Sequence, residues 1–105
     1  MTGRDNNREQ QELLYHKLNL ETGKIAWPEL QRYFARGVIL IVANELDLVE
    51  VARLMTQDRK DKINDWLQRG LIKPATDDNA IEWNQSQQDF WAVVTAPWVL
   101  VQAIQ

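Results

Sequence analysis

The pattern of apolar and polar positions divides the chain into short segments of two periods. Val38-Ile39-Leu40-Ile41-Val42-Ala43 is an unbroken apolar run, mostly β-branched and too short for a core helix, so it predicts a strand buried on both faces and central in its sheet. Trp98 to Ile104 alternates with apolar residues on both sides, Trp98, Leu100 and Ile104 on one face and Val99, Val101 and Ala103 on the other, and predicts a second such strand. Leu71-Ile72-Lys73 reads as a third, short strand. Pro74 places it at a sheet edge, because proline cannot donate to a ladder.

Helical spacing fills the intervals. Asn6 with Glu9 opens a first helix reaching about Asn19, with Leu13, Leu14, Leu18 and the stem of Lys17 on one side and Glu9, Glu12 and His16 on a polar stripe. After a turn at Glu21-Thr22-Gly23, Trp27-Pro28 starts a second helix carrying Leu30, Tyr33 and Phe34, closed by Gly37 as a left-handed cap. Asp47, with Glu50 at the reciprocal position, caps a third helix running to about Thr56. Asp58 starts a fourth, with Ile63, Trp66 and Leu67 inward and Gly70 at its end. Thr76 caps the last helix, on which Ala80, Trp83, Gln87, Phe90, Trp91 and Val94 fall on one stripe before Pro97 breaks it.

The expected architecture is an α+β fold: a small three-stranded sheet packed with about five helices, in the order helix, helix, strand, helix, helix, strand, helix, strand. Residues 1–5 are expected to be a disordered tail and 6–105 a single globular domain. A three-stranded sheet has one central strand, yet two of these strands are apolar on both faces. Either helices of the same chain or a second copy must cover the other, and the second arrangement is a homodimer.

Composition narrows function mainly by exclusion. The absence of cysteine removes disulfides, thiolate metal sites and cysteine nucleophiles, and it suits a reducing cytoplasm. A net charge of −3 argues against a surface built throughout to neutralise phosphates. The polar stretch Met1 to Glu12 has no signal-peptide core, and Phe90 to Ile104 is too short and interrupted for a membrane span. The expectation is therefore a cytoplasmic chain that does not enter the membrane.

No constellation points to catalysis. The one histidine, His16, and the one serine, Ser86, lie in no triad context, and Glu12 with His16 makes two ligands where a metal site needs more. Asp77, Asp78 and Glu82 complement a helix dipole more simply than they bind a cation. The glycines at 3, 23, 37 and 70 are scattered, which leaves no phosphate-cradling loop, so no cofactor is expected. The five tryptophans read as packing rather than as a ligand pocket.

Two basic groups are candidates for interaction. Arg32 and Arg36 follow Glu29 along one face of the second helix, where an intrahelical ion pair is the simpler account. Arg59, Lys60 and Lys62 gather at the amino-terminal end of the fourth helix, against the dipole preference. With Val51, Ala52, Met55, Ile63, Trp66 and Leu67 inward, Leu48 to Ile72 is similar to a helix-turn-helix. Residues 58–69 net only +1, from four basic and three acidic side chains, which is little for phosphate binding.

Several motifs carry a family resemblance: Lys17 to Thr22, Glu29 to Arg32 with Phe34 to Gly37, Asp47 to Ala52, Trp66-Leu67 with Gly70, and Phe90 to Val94 with Ala96 to Gln102. In these the chain resembles a family of short bacterial proteins known as domain of unknown function 2288, over about Leu13 to Gln102. The resemblance implies a self-contained bacterial domain and supplies no activity, cofactor or catalytic residue. The expected function is a non-enzymatic module that binds another protein or itself, with helix-turn-helix nucleic-acid binding as the alternative.

Overall fold

The computed structural model describes the backbone of residues 3–105 and the side chains of residues 8–105 other than that of Gln11. Its elements are α1 (Gly3–Glu21), β1 (Gly23–Ala26), α2 (Trp27–Ala35), β2 (Ile39–Val42), α3 (Leu48–Thr56), α4 (Lys60–Gln68), β3 (Ile72–Pro74), α5 (Asp77–Ser86), β4 (Asp89–Thr95) and β5 (Trp98–Ala103). They form an α+β fold around one mixed sheet of order β1-β4-β5-β2-β3. β2 and β5 run parallel, and the other neighbours are antiparallel.

The local signals explain several of these boundaries. Pro28 stands in the first turn of α2, where its missing N–H costs nothing, and Gly37 takes φ 71° just beyond the helix end. Asp47 caps α3 by accepting from the N–H groups of Val49 and Glu50 at 3.0 and 3.3 Å. Thr76 and Asn79 form a reciprocal capping box at the start of α5. Pro74 lies at the end of edge strand β3, as expected.

The sheet has five strands where the pattern predicts three. Residues 23–26 make the outer strand β1, too short to show a period and opened by Gly23. The larger difference is β4. The helix α5 stops at Ser86, Gln87 turns left-handed at φ 53°, and Asp89–Thr95 is extended. Phe90, Trp91 and Val94 do share helical spacing with Trp83. However, aromatic and β-branched residues are poor helix formers there, and pairing of the whole segment with β5 prevails. Trp91 and Val94, expected inward, are exposed.

Other expectations also need correction. The middle strand is β5, with β2 beside it. Asp58 does not cap α4: it takes φ 57° in the turn, and Arg59 holds the N-cap position with no side-chain bond to the helix. The helix α1 runs from Gly3. Of the tail expected over 1–5, residues 1 and 2 lie outside the described residues, as does the side chain of Asn6.

Core packing follows the alternation of β5. Leu100 joins Leu40, Val42, Val93 and Ile72 beneath α1, α3 and α4, while Val99 and Val101 join Ile39, Phe90, Trp27 and Trp83 beneath α2 and α5. Helices of the same chain thus cover both faces of β2 and β5. Full burial of each such side chain contributes roughly 1.5–3 kcal/mol. On the second face Phe34, Trp27, Trp83 and Phe90 form an edge-to-face series with centroids 5.9, 5.5 and 4.8 Å apart.

Candidate functional site

The turn between α3 and α4 is fixed by its own backbone. Asp58 N–H donates to Met55 O at 3.1 Å, Arg59 N–H to Leu54 O at 3.0 Å and Lys60 N–H to Asp58 O at 2.9 Å. Asp58 in the left-handed region lets the chain reverse here, a conformation aspartate tolerates better than most residues. Opposite this turn lies the β4–β5 hairpin, whose two-residue loop Ala96-Pro97 has a cis peptide and brings Thr95 and Trp98 into register.

Between turn and hairpin is a cavity of about 490 Å³. Met55, Ile63, Pro97 and Trp98 supply its apolar lining, and Asp58, Arg59 and Lys60 its charged lining. Thr95 also lines it. That residue is 8% exposed, and its Oγ1 is buried with no hydrogen-bond partner. An unpaired buried hydroxyl costs about 1–3 kcal/mol.

Charges at the cavity are partly offset. Arg59 Nε lies 3.5 Å from Asp61 Oδ1, and Lys60 Nζ lies 3.9 Å from Asp58 Oδ2. The Asp61 carboxyl is held below the usual carboxylate range, first by the Lys62 backbone N–H at the open start of α4 and then by Arg59. The start of α4 thus already engages one carboxylate, that of Asp61.

The candidate interaction residues divide between the two faces of the sheet. Arg59 and Lys60 line the cavity, whereas Lys62 on the same helix lies over the Trp66 ring, 5.7 Å from its centroid. Arg32 in α2 and Arg36 at its C-cap belong to the opposite face. Arg32 donates to the Tyr33 hydroxyl at 2.9 Å and sits 4.8 Å from that ring's centroid. The structure does not bring the two basic groups together.

Other sequence candidates fall elsewhere. Glu12 and His16 are exposed on α1, and Asp77, Asp78 and Glu82 are exposed on α5. Among the described residues no group of three or more histidine, aspartate or glutamate side chains could hold a metal ion. Trp27, Trp66 and Trp83 are buried in the core, Trp91 is exposed, and Trp98 lines the cavity. A shallower depression of about 440 Å³ between α1 and α3 is lined by Arg8, Glu12, Tyr15, Glu50 and Arg53. There Arg53 pairs with Glu50, and Tyr15 donates to Asp47 Oδ2 at 2.9 Å.

The profile of a family described as "Protein of unknown function (DUF2288)" matches residues 13–103, most of the chain. The chain belongs to this family. DUF2288 carries no stated activity, so membership fixes kinship rather than chemistry. A similar solved structure is the NMR solution structure of PA1075 from Pseudomonas aeruginosa. It is 43% identical, with a TM-score of 0.77, over 89% of this chain and 86% of that one. No curated protein matches the chain. Among the described residues no helix is long and apolar enough to cross a membrane.

Proposed function

We propose that this chain is a non-enzymatic protein-interaction module of the cytoplasm that takes a short segment of a partner protein into the cavity between the α3–α4 turn and the β4–β5 hairpin. The observation that carries this reading is the cavity's mixed lining: the apolar side chains of Met55, Ile63 and Trp98 together with Arg59 and Lys60. A volume of about 490 Å³ suits one or two anchoring side chains, and interfaces commonly concentrate their affinity in such a pocket.

The offset of Arg59 and Lys60 by Asp61 and Asp58 favours a protein segment over a nucleic acid. Duplex binding draws on many uncompensated cations, each releasing counterions, and this helix end supplies few. A protein segment needs only one or two directed polar contacts beside apolar anchors.

Selection of short displayed peptides against the immobilised chain tests the reading, with the Ile63→Glu variant as the comparison. Peptides enriched on the wild-type chain and lost on the folded variant support it. Failure to enrich any peptide, or enrichment indifferent to Ile63→Glu, contradicts it.

A further inference from the structure

Resting on that reading of the cavity, we infer that its ligand is the carboxy-terminal end of a partner chain: a free α-carboxylate held by Arg59 and the Thr95 hydroxyl, with the adjoining apolar side chain against Met55, Ile63 and Trp98. Three features converge on a carboxylate.

The first is the orphaned hydroxyl. Two buried side-chain polar atoms lack a partner among the described residues: Trp27 Nε1, which lies on the opposite face of the sheet, and Thr95 Oγ1, which sits just beneath the surface of a residue that lines the cavity, so that a turn of its side chain would present it to a ligand. A hydroxyl donating to a carboxylate makes a charge-assisted bond, stronger than one to a neutral carbonyl.

The second is the start of α4. Arg59 at the N-cap gives the helix no side-chain acceptor, and the first-turn dipole favours negative charge. Asp61 already responds to that field, its carboxylate drawn to the Lys62 N–H. The third is Arg59 itself, which lines the cavity, meets Asp61 through Nε at 3.5 Å, and has a planar guanidinium suited to a planar anion. Asp58 also lines the cavity and would repel an anion, a repulsion that Lys60 Nζ at 3.9 Å offsets in part.

A chain terminus matches the geometry better than an acidic side chain does. At a terminus the carboxylate and an apolar side chain share one Cα, so a single residue presents both chemistries within a cavity of about 490 Å³. Capture of a terminal carboxylate is a recurring mode of peptide recognition.

The test uses arrays of short random peptides synthesised with free carboxy termini, alongside the same sequences as carboxamides, probed with the full chain and with Thr95→Val and Arg59→Gln. The expected result is binding of the acids about tenfold tighter than of the amides, a preference that shrinks several-fold in each variant. Amides binding the cavity as tightly as acids would overturn the carboxylate and leave the module reading standing. A preference unchanged in both variants would overturn the roles of Arg59 and Thr95. Binding by neither array would overturn both the inference and the reading beneath it. Val is nearly isosteric with Thr, so the Thr95→Val chain reports on the hydroxyl with its fold retained.

Discussion

Thr95 stands directly opposite Trp98 across the two-residue loop of the β4–β5 hairpin, and both residues line the cavity. Their register fixes where the cavity's only buried, unpaired hydroxyl sits among the described residues. Replacing Thr95 with valine removes a desolvated polar group that gains nothing in the free protein. The expected change in unfolding free energy is between zero and a gain of about 1 kcal/mol, measured by urea denaturation. A loss above that size would mean that the hydroxyl has a partner in the folded chain.

Leu100 is fully buried at the centre of the sheet, while Trp91 on the neighbouring strand is 45% exposed. Leu100→Ala should therefore cost about 2–5 kcal/mol, the range for deleting a core leucine, as a lowered denaturation midpoint. Trp91→Ser should cost much less, although tryptophan is the larger side chain. Had β4 been the continuation of α5, Trp91 would have been a core residue and the order would reverse.

This contrast shows how far the sequence was legible. The strand β2 was, because six consecutive apolar residues from Val38 to Ala43 admit few other placements. Pro28, Gly37, Asp47 and Thr76 are legible because each acts through its own backbone or the adjacent turn, whereas the Glu50 carboxylate expected to complete the Asp47 cap pairs with Arg53 instead. The segment Phe90 to Val94 misled because its spacing from Trp83 fits a helix, and only pairing with a strand beyond the turn decides against it. A signal was present: Val93-Val94-Thr95 and Trp98-Val99-Leu100-Val101 are β-rich runs separated by two residues, the mark of a hairpin. The cavity was hidden for the same reason. Its walls come from residues 55–64 and 95–98, and reading Thr95 near a helix end separated it from Arg59 and Lys60.

Asp47 holds two elements at once, capping α3 and accepting the Tyr15 hydroxyl of α1. Asp47→Ala should cost about 1–2 kcal/mol, the upper part of the range for a lost cap, and Tyr15→Phe below about 1 kcal/mol because the bond is solvent-accessible. The hydrogen bond to Asp47 raises the Tyr15 hydroxyl above its ordinary value of 10.0, with burial adding in the same direction. A raised value in the folded state means a stabilisation complete below about pH 10 and lost as the pH climbs through the folded value. Following the Tyr15 ring resonances with pH should show late titration, returning toward 10.0 in Asp47→Asn.

Asp61 moves in the opposite sense. Its carboxyl, lowered chiefly by the Lys62 N–H, should remain ionised below its ordinary value of 3.8 when followed by NMR. Its contribution is present above that value and lost as the pH falls through the folded one. Bound terminal carboxylate would compete for the same helix end, so ligand should shift the Asp61 titration upward.

A two-dimensional NMR titration of the chain with an enriched peptide, reading every backbone amide together with the tryptophan indoles, locates the bound segment. Shifts are expected to concentrate on Met55, Arg59, Ile63, Thr95 and the Trp98 indole, with α2, its Arg32 and the adjoining Arg36 unmoved. Shifts centred on α2, or spread evenly over both faces of the sheet, would rule out the cavity as the binding site.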